Sequence, residues 1–375
     1  MKPNFFTALE LAKGLAATPK SINSVANATS DEAARWAFTQ WELRKRAAAK
    51  FSRADQMLFT REALEQATAE PVANLRASRW PKGEQIADLT CGIGSDLIAL
   101  ASRGPAAGYD LDAERLEYAQ SNLTAYGEKA SLTLQNCLEI DPTPEFFFCD
   151  PSRRTNTGRT LDPDSFAPHP GQIAERGQSA KLAAMKLTPM LRDEMLEEWG
   201  VGLEFWSHAW ECKEALVWMG GDAERWYGAV QVESGLRIAS GGDGEFTDTV
   251  GQYLFEADPA ARRAHAWDAL CEMAQASRLY DGSVLTGNAQ TSSPWLRRFE
   301  VIEELPYSEK EIKARLVHHR ARTPIIKSTI PIPMEKLTQS LKREGEQELV
   351  LWVIAHGAKR KCILSTPEQK PHKSL

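Results

Sequence analysis

The chain has no Cys-x-x-Cys pair; its six cysteines, Cys91, Cys137, Cys149, Cys212, Cys271 and Cys362, are scattered through 375 residues. That spacing excludes a zinc ribbon, argues against a disulfide framework and leaves no metal site to expect. No run of about 18 apolar residues occurs, so no membrane span is expected. Met1-Lys2-Pro3-Asn4 leads into no apolar h-region, so no secretory signal is expected and the cytoplasm is the default compartment. Internal repeats and low-complexity segments are also missing. With 42% apolar and 26% charged residues, the composition excludes a mostly disordered chain. The length accommodates two or three domains.

Charge is present but unevenly placed. Lys plus Arg minus Asp plus Glu is +5 over residues 1–82, −17 over 83–293 and +6 over 294–375. Two basic ends flank an acidic middle. Basic blocks favour a polyanionic partner, although charge also fluctuates along any chain.

Residues 1–80 read as helical. Ser30 can cap a helix with Asp31 and Glu32 in its first turn, and Thr60 can cap another. Arg44, Lys45, Arg46, Lys50 and Arg53 suggest a basic helical face, or a cap that packs on the next domain. From residue 83 the pattern changes. Apolar runs of about five residues alternate with helical stretches, the grammar of a parallel α/β sheet. Strands are expected at Ile86–Thr90, Ala106–Asp110, Ser131–Gln135, Phe146–Cys149, Ala184–Leu187, Glu204–Trp206 and Ala215–Met219. Seven such strands complete a doubly wound sheet within residues 81–220. Residues 221–293 read as a connecting region, with a strand over Ala229–Ile238 and a helix from Pro259 to about Ser277. Residues 294–366 read as a small α/β unit, followed by a polar tail at 367–375.

The sharpest motif is Asp88-Leu89-Thr90-Cys91-Gly92-Ile93-Gly94, between a strand and a helix. Its two glycines allow close backbone approach to a ligand. A dinucleotide loop wants a third glycine at position 97, where Leu97 stands. An acid followed by G-x-G suits S-adenosylmethionine better, since that ligand offers an ammonium and a carboxylate but no phosphate. Asp88 can attract the ammonium, and the backbone from Thr90 and Cys91 to Gly94 can meet the carboxylate. Asp110, ending the next strand, can take ribose hydroxyls, while Asp112 reads as a helix cap. After the third strand, Asn136 with Cys137 can offer an acceptor to adenine or can simply close a turn. Asp150-Pro151-Ser152-Arg153-Arg154 follows the fourth strand. In open α/β sheets the ligand crevice lies at the carboxyl ends of strands, so Asp150 and Pro151 would face the transferred methyl group. Arg153 and Arg154 can clamp phosphate or stack on a base, or form a solvated loop pair. His169 can be a lid residue or a plain loop histidine. Cys91 and Cys149 lie beside the expected site and can offer a nucleophile, with no second supporting group in view.

Asp88–Gly94, Asp110, Asn136 and Asp150–Pro151 together resemble the motifs of class I S-adenosylmethionine-dependent methyltransferases. More narrowly, the chain is similar to a bacterial family of candidate RNA methyltransferases with a THUMP-like C-terminal domain. The stretches that carry this likeness are 60–67, 150–154, 186–189, 253–260 and 293–296. The resemblance implies a helical N-terminal region, a seven-stranded Rossmann-like catalytic domain and an RNA-binding THUMP-like module. Related families methylate guanine N2 in RNA. Such enzymes carry a second proline and an aromatic after Asp-Pro, where this chain has Ser152 and Arg153. Asn136 stands where an acid is usual.

These readings converge on an S-adenosylmethionine-dependent methyltransferase of rRNA or tRNA, acting on a base nitrogen with guanine N2 preferred. Two alternatives stay open: a methyltransferase for a small molecule or protein, and a non-catalytic RNA-binding protein that retains the fold.

Overall fold

The computed structural model describes residues 3–155, 158–280 and 282–368. The chain divides into two units, one of Met1–Leu203 with Glu214–Trp226, the other of Glu204–Lys213 with Tyr227–Leu375.

The first unit opens with five helices: α1 Pro3–Leu11, α2 Pro19–Ala28, α3 Asp31–Ala47, α4 Arg61–Gln66 and α5 Glu70–Ala77. Ser30 accepts the Ala33 N–H at 3.1 Å and Thr60 the Ala63 N–H at 3.0 Å, so both expected caps form. Leu43, Met57 and Leu58 are buried in the core these helices share with α6 (Ser95–Ala101) and α7 (Ala113–Tyr126). Each such side chain contributes about 1.5–3 kcal/mol relative to exposure. Asn122 of α7 is fully buried and binds the backbone of both Leu58 and Ile93. It thereby ties the helical layer to the glycine loop.

The basic helical face does not form as one surface. Arg44 is buried and donates to the Met57 carbonyl at 2.8 Å, over the Trp41 ring. Lys50 donates to the Leu64 and Ala67 carbonyls at the end of α4. Arg53 donates to the Ala125 carbonyl at 2.7 Å. These cations satisfy orphan carbonyls at helix ends and turns. Lys45, Arg46 and Arg53 are the exposed members of the group, and Arg53 is tied to the end of α7.

Seven strands follow: β1 Ile86–Asp88, β2 Ala106–Asp110, β3 Ser131–Leu134, β4 Phe146–Cys149, β5 Leu182–Leu187, β6 Gly202–His208 and β7 Glu211–Met219. Between them lie α6, α7, α8 (Pro170–Gln178) and α9 (Asp193–Glu198). The strand order is β3-β2-β1-β4-β5-β7-β6, with β7 antiparallel to β5. The order reverses between β1 and β4, which are parallel neighbours. That reversal is the switch point where open α/β sheets hold ligands. Beside β6, β8 (Tyr227–Gln231) and β9 (Arg237–Ala239) extend the sheet to nine strands. The single strand expected over Ala229–Ile238 is thus an antiparallel pair, turned at Ser234-Gly235 with Gly235 at φ +67°.

In the second unit the expected helix from Pro259 to Ser277 is two: α10 Pro259–Arg263 and α11 Trp267–Ala274. The break is a Schellman stop. Ala266 N–H reaches the Ala261 carbonyl and His265 N–H the Arg262 carbonyl, with His265 at φ +53°. No glycine announces it. Strands β10 Tyr253–Ala257, β11 Ala276–Leu279, β12 Leu285–Gly287, β13 Leu296–Pro306, β14 Ile325–Ser328, β15 Val350–His356 and β16 Lys359–Ser365 build an eight-stranded sheet with the short strand Phe246–Thr247. Its order runs from Phe246–Thr247 through β11-β12-β10-β13-β16-β15-β14. Helices α12 Glu309–His318 and α13 Met334–Ser340 place Ile312, Leu316 and Leu337 in a core with Leu351 and Val353. Among the described residues, no helix is long and apolar enough to cross a membrane.

Candidate active site

The carboxyl ends of β1, β2 and β4 carry Asp88, Asp110 and Asp150, and the loop from Leu89 to Gly94 is stitched to all three strands. Asp88 is in register with Gly108 of β2 and Phe148 of β4. Leu89 N–H reaches the Phe148 carbonyl at 2.9 Å and Cys91 N–H the Tyr109 carbonyl at 2.8 Å. Gly92 and Gly94 sit at φ +54° and +85°, conformations that favour glycine, and Gly94 leads into α6. Leu97, in place of a third glycine, packs where a Cβ on Gly108 would come within 2.5 Å of its Cδ2. The small residue that permits close helix–strand packing is therefore on β2.

Asp88 is the most unusual group. It is 1% exposed. Its Oδ1 accepts the Thr90 N–H at 3.2 Å, while Oδ2 is buried and, among the described residues, without a hydrogen bond. Burial, and then the nearby Asp96 carboxylate, push its carboxyl well above the usual range. Asp110 accepts the Gly92 N–H on Oδ2 and the Asp112 N–H on Oδ1, both at 2.9 Å. Asp112 in turn caps α7 through the Glu114 and Arg115 N–H groups. Asn136 caps the short turn Cys137–Glu139, accepting the Leu138 N–H at 3.1 Å, and Cys137 is buried. The turn-closing alternative is thus the contact Asn136 makes here. His169 is likewise a cap rather than a free lid residue: Nδ1 accepts the Gly171 N–H and Nε2 faces Asp164.

Asp150 is gripped twice. Its N–H donates to Thr90 Oγ1 at 2.7 Å, and its Oδ2 receives Lys186 Nζ at 2.5 Å. Pro151 is buried, and Ser152 exchanges backbone hydrogen bonds with Ala167. Arg153 accepts the Thr160 N–H on its carbonyl. Arg154 pairs with Arg159 through its backbone, and its side chain lies outside the described residues. Burial pushes the Cys91 and Cys149 thiols well above their usual range, so neither supplies a thiolate.

Sequence reasoning missed the buried ions that surround this cluster. Arg76 of α5 is paired with Asp96 of α6 and Glu214 of β7, and lies 4.3 Å over the Phe148 ring. Burial opposes its charge, but the two carboxylates outweigh burial and raise its affinity for the proton. Burial also works against ionised Asp96; Arg76 and Lys186 reverse this and hold it below the usual carboxylate range. Lys186 also donates to Thr68 Oγ1 at 3.1 Å. The signal for Lys186 was one charge in the apolar run Leu182-Ala183-Ala184-Met185-Lys186-Leu187, since buried parallel strands read as near-continuous apolar runs. Among the described residues, no group of three His, Cys, Asp or Glu side chains could hold a metal ion.

Residues 296–367 match the family model described as THUMP domain-like. The chain is 29% identical over 348 residues to an uncharacterized S-adenosylmethionine-dependent methyltransferase of Mycobacterium tuberculosis strain CDC 1551, covering 87% of this chain and 94% of that one. The counterpart from strain H37Rv matches equally. A crystal structure of a candidate methyltransferase from Porphyromonas gingivalis W83 superposes with a TM-score of 0.78 at 20% identity, covering 98% of this chain and 99% of that one. The strand order, the loop geometry and these likenesses agree: the chain joins a class I methyltransferase fold to a THUMP-like C-terminal domain.

Proposed function

We propose that this protein is an S-adenosylmethionine-dependent methyltransferase that methylates a base nitrogen of rRNA or tRNA in the cytoplasm. The observation that carries the reading is Asp88 Oδ2, an acid oxygen buried beside the glycine loop and without a hydrogen bond among the described residues. Such a group is expensive to keep unless a cation meets it. The ammonium of S-adenosylmethionine would be that cation, and the backbone from Thr90 and Cys91 to Gly92 and Gly94 would hold its carboxylate. Asp110 spends one lone pair of each oxygen on Gly92 and Asp112; the others remain for ribose hydroxyls. Asn136 and Cys137 would border the adenine.

Bound S-adenosylmethionine supplies a methyl group on a sulfonium. The chain's task is positioning, which can account for several kcal/mol of a displacement barrier. Asp150 accepts a hydrogen bond from the nitrogen to be methylated, and buried Pro151 fixes the turn that presents it. Arg153 and Arg154 meet the substrate's phosphates. Methyl transfer breaks one S–C bond, forms one C–N bond and releases the nitrogen's proton to solvent. RNA as substrate is supported by the THUMP-like match at 296–367 and by the basic balance of residues 294–375. Guanine N2 is the preferred atom.

Mass spectrometry of nucleosides from wild-type and deletion cells tests this. Loss of one N-methylated nucleoside on deletion is expected. Donor binding with an unchanged RNA profile favours a small-molecule or protein substrate. No donor binding leaves a non-catalytic RNA-binding protein.

A further inference from the structure

We infer that Lys186 is the positioning residue for Asp150, and that its grip makes the site selective for a nitrogen that carries a hydrogen. The inference rests on the methyltransferase reading and narrows its substrate class. Lys186 is the one charge on β5. Its ammonium holds Asp150 Oδ2 at 2.5 Å and Thr68 Oγ1 at 3.1 Å. Thr90, from the glycine loop, holds the Asp150 N–H at 2.7 Å. The aspartate is therefore fixed at its backbone by the loop beside the donor and at one carboxylate oxygen by β5. Rotation of the carboxylate would break the bond to Lys186, so Oδ1 keeps one direction. Among the described residues, no hydrogen bond reaches that oxygen.

An ammonium only donates, and a carboxylate engaged by it only accepts. Oδ1 can thus receive an N–H but has none to offer. Guanine N1 and N2, adenine N6, cytosine N4 and uracil N3 each present an N–H. Guanine N7 and adenine N1 present bare lone pairs, which the carboxylate repels. Burial works against the Lys186 charge, but Asp150, Asp96 and Glu214 outweigh it, so the ammonium persists. A lysine that served packing alone would not need this geometry, since an apolar side chain would fill β5 without a desolvated charge.

The test uses the full chain, tritiated S-adenosylmethionine and total RNA from cells lacking the gene. Wild-type protein, Lys186→Met and Lys186→Arg are compared. With Lys186→Met, kcat should fall about 100-fold while KM for RNA and donor affinity stay within about threefold. Lys186→Arg, which returns a cationic donor, should recover part of the lost rate. The wild-type product should carry its methyl on one of the N–H nitrogens. Wild-type kcat in Lys186→Met, or a product identified as 7-methylguanosine or 1-methyladenosine, overturns the inference alone, whereas a 2′-O-methyl nucleoside overturns both it and the base-nitrogen reading. If wild-type protein neither binds the donor nor labels RNA, the methyltransferase reading falls and takes this inference with it. If Lys186→Met does not fold, Lys186→Gln replaces it, with the same expected slowing and the same contrary result.

Discussion

The strand tips of the first unit and the THUMP-like stretch Leu296–Ser365 handle charge in opposite ways. Around the tips of β1, β4 and β5, ionisable groups are buried: Asp88, Asp96, Arg76 and Glu214 are each less than 9% exposed. Between Leu296 and Ser365, the one polar residue buried to that degree among those described is Ser365. Ion pairs there, such as Lys361–Glu304 and Lys313–Glu309, stand in solvent. Exposed pairs are worth little, and buried ones are costly to break. The first region keeps its charges under cover at the carboxyl ends of the strands, and the second keeps an apolar core with its charges outside.

Substitutions in the two regions should differ widely in effect. Asp150→Ala should lower methyl transfer to RNA by about 10²–10⁴-fold in a tritium-incorporation assay, with donor binding retained. Arg76→Met leaves Asp96 and Glu214 buried without their partner and should destabilise the first unit by about 3–5 kcal/mol, read by urea unfolding. Part of that loss is pH-dependent. Asp96 has a lowered folded value, so its contribution is present above the unfolded value of about 3.9 and disappears as pH falls through the folded one. Asp88→Asn should act in the opposite sense and raise the melting temperature of ligand-free protein by about 2–4 °C at neutral pH. The sign follows from its raised folded value. Below about pH 3.9 both states are protonated and the variant has no advantage. The advantage grows as pH rises toward the folded value. At the other extreme, Lys361→Ala should change stability by less than about 1 kcal/mol, and less again at high salt. A large effect at Lys361 together with a small one at Arg76 would erase the distinction between these two regions.

Much of the first unit was legible because its signals are local. The Asp88–Gly94 loop, the cap residues Ser30, Thr60 and Asp112, and the apolar run Phe146–Cys149 each declare themselves within a few residues. Arg76, Asp96 and Glu214 come from α5, α6 and β7, and nothing near any one of them announces the other two. Arg44 and Lys50 misled for a related reason: a cation in or just after a helix looks solvated until the carbonyls it serves are known. In the second unit, β10 was hidden because Tyr253–Ala257 has no clean alternation, and its partner β13 begins some forty residues later. The stop after α10 was illegible because His265 takes the left-handed position that glycine ordinarily marks.

Calorimetric titration of purified, folded protein with S-adenosylmethionine and with S-adenosylhomocysteine tests the central assignment most directly. Wild-type protein should bind both, and Asp88→Asn should bind each at least about 100-fold more weakly, in line with removal of a buried charge from an ion pair. Absence of heat with both ligands, or undiminished binding by Asp88→Asn, would contradict it.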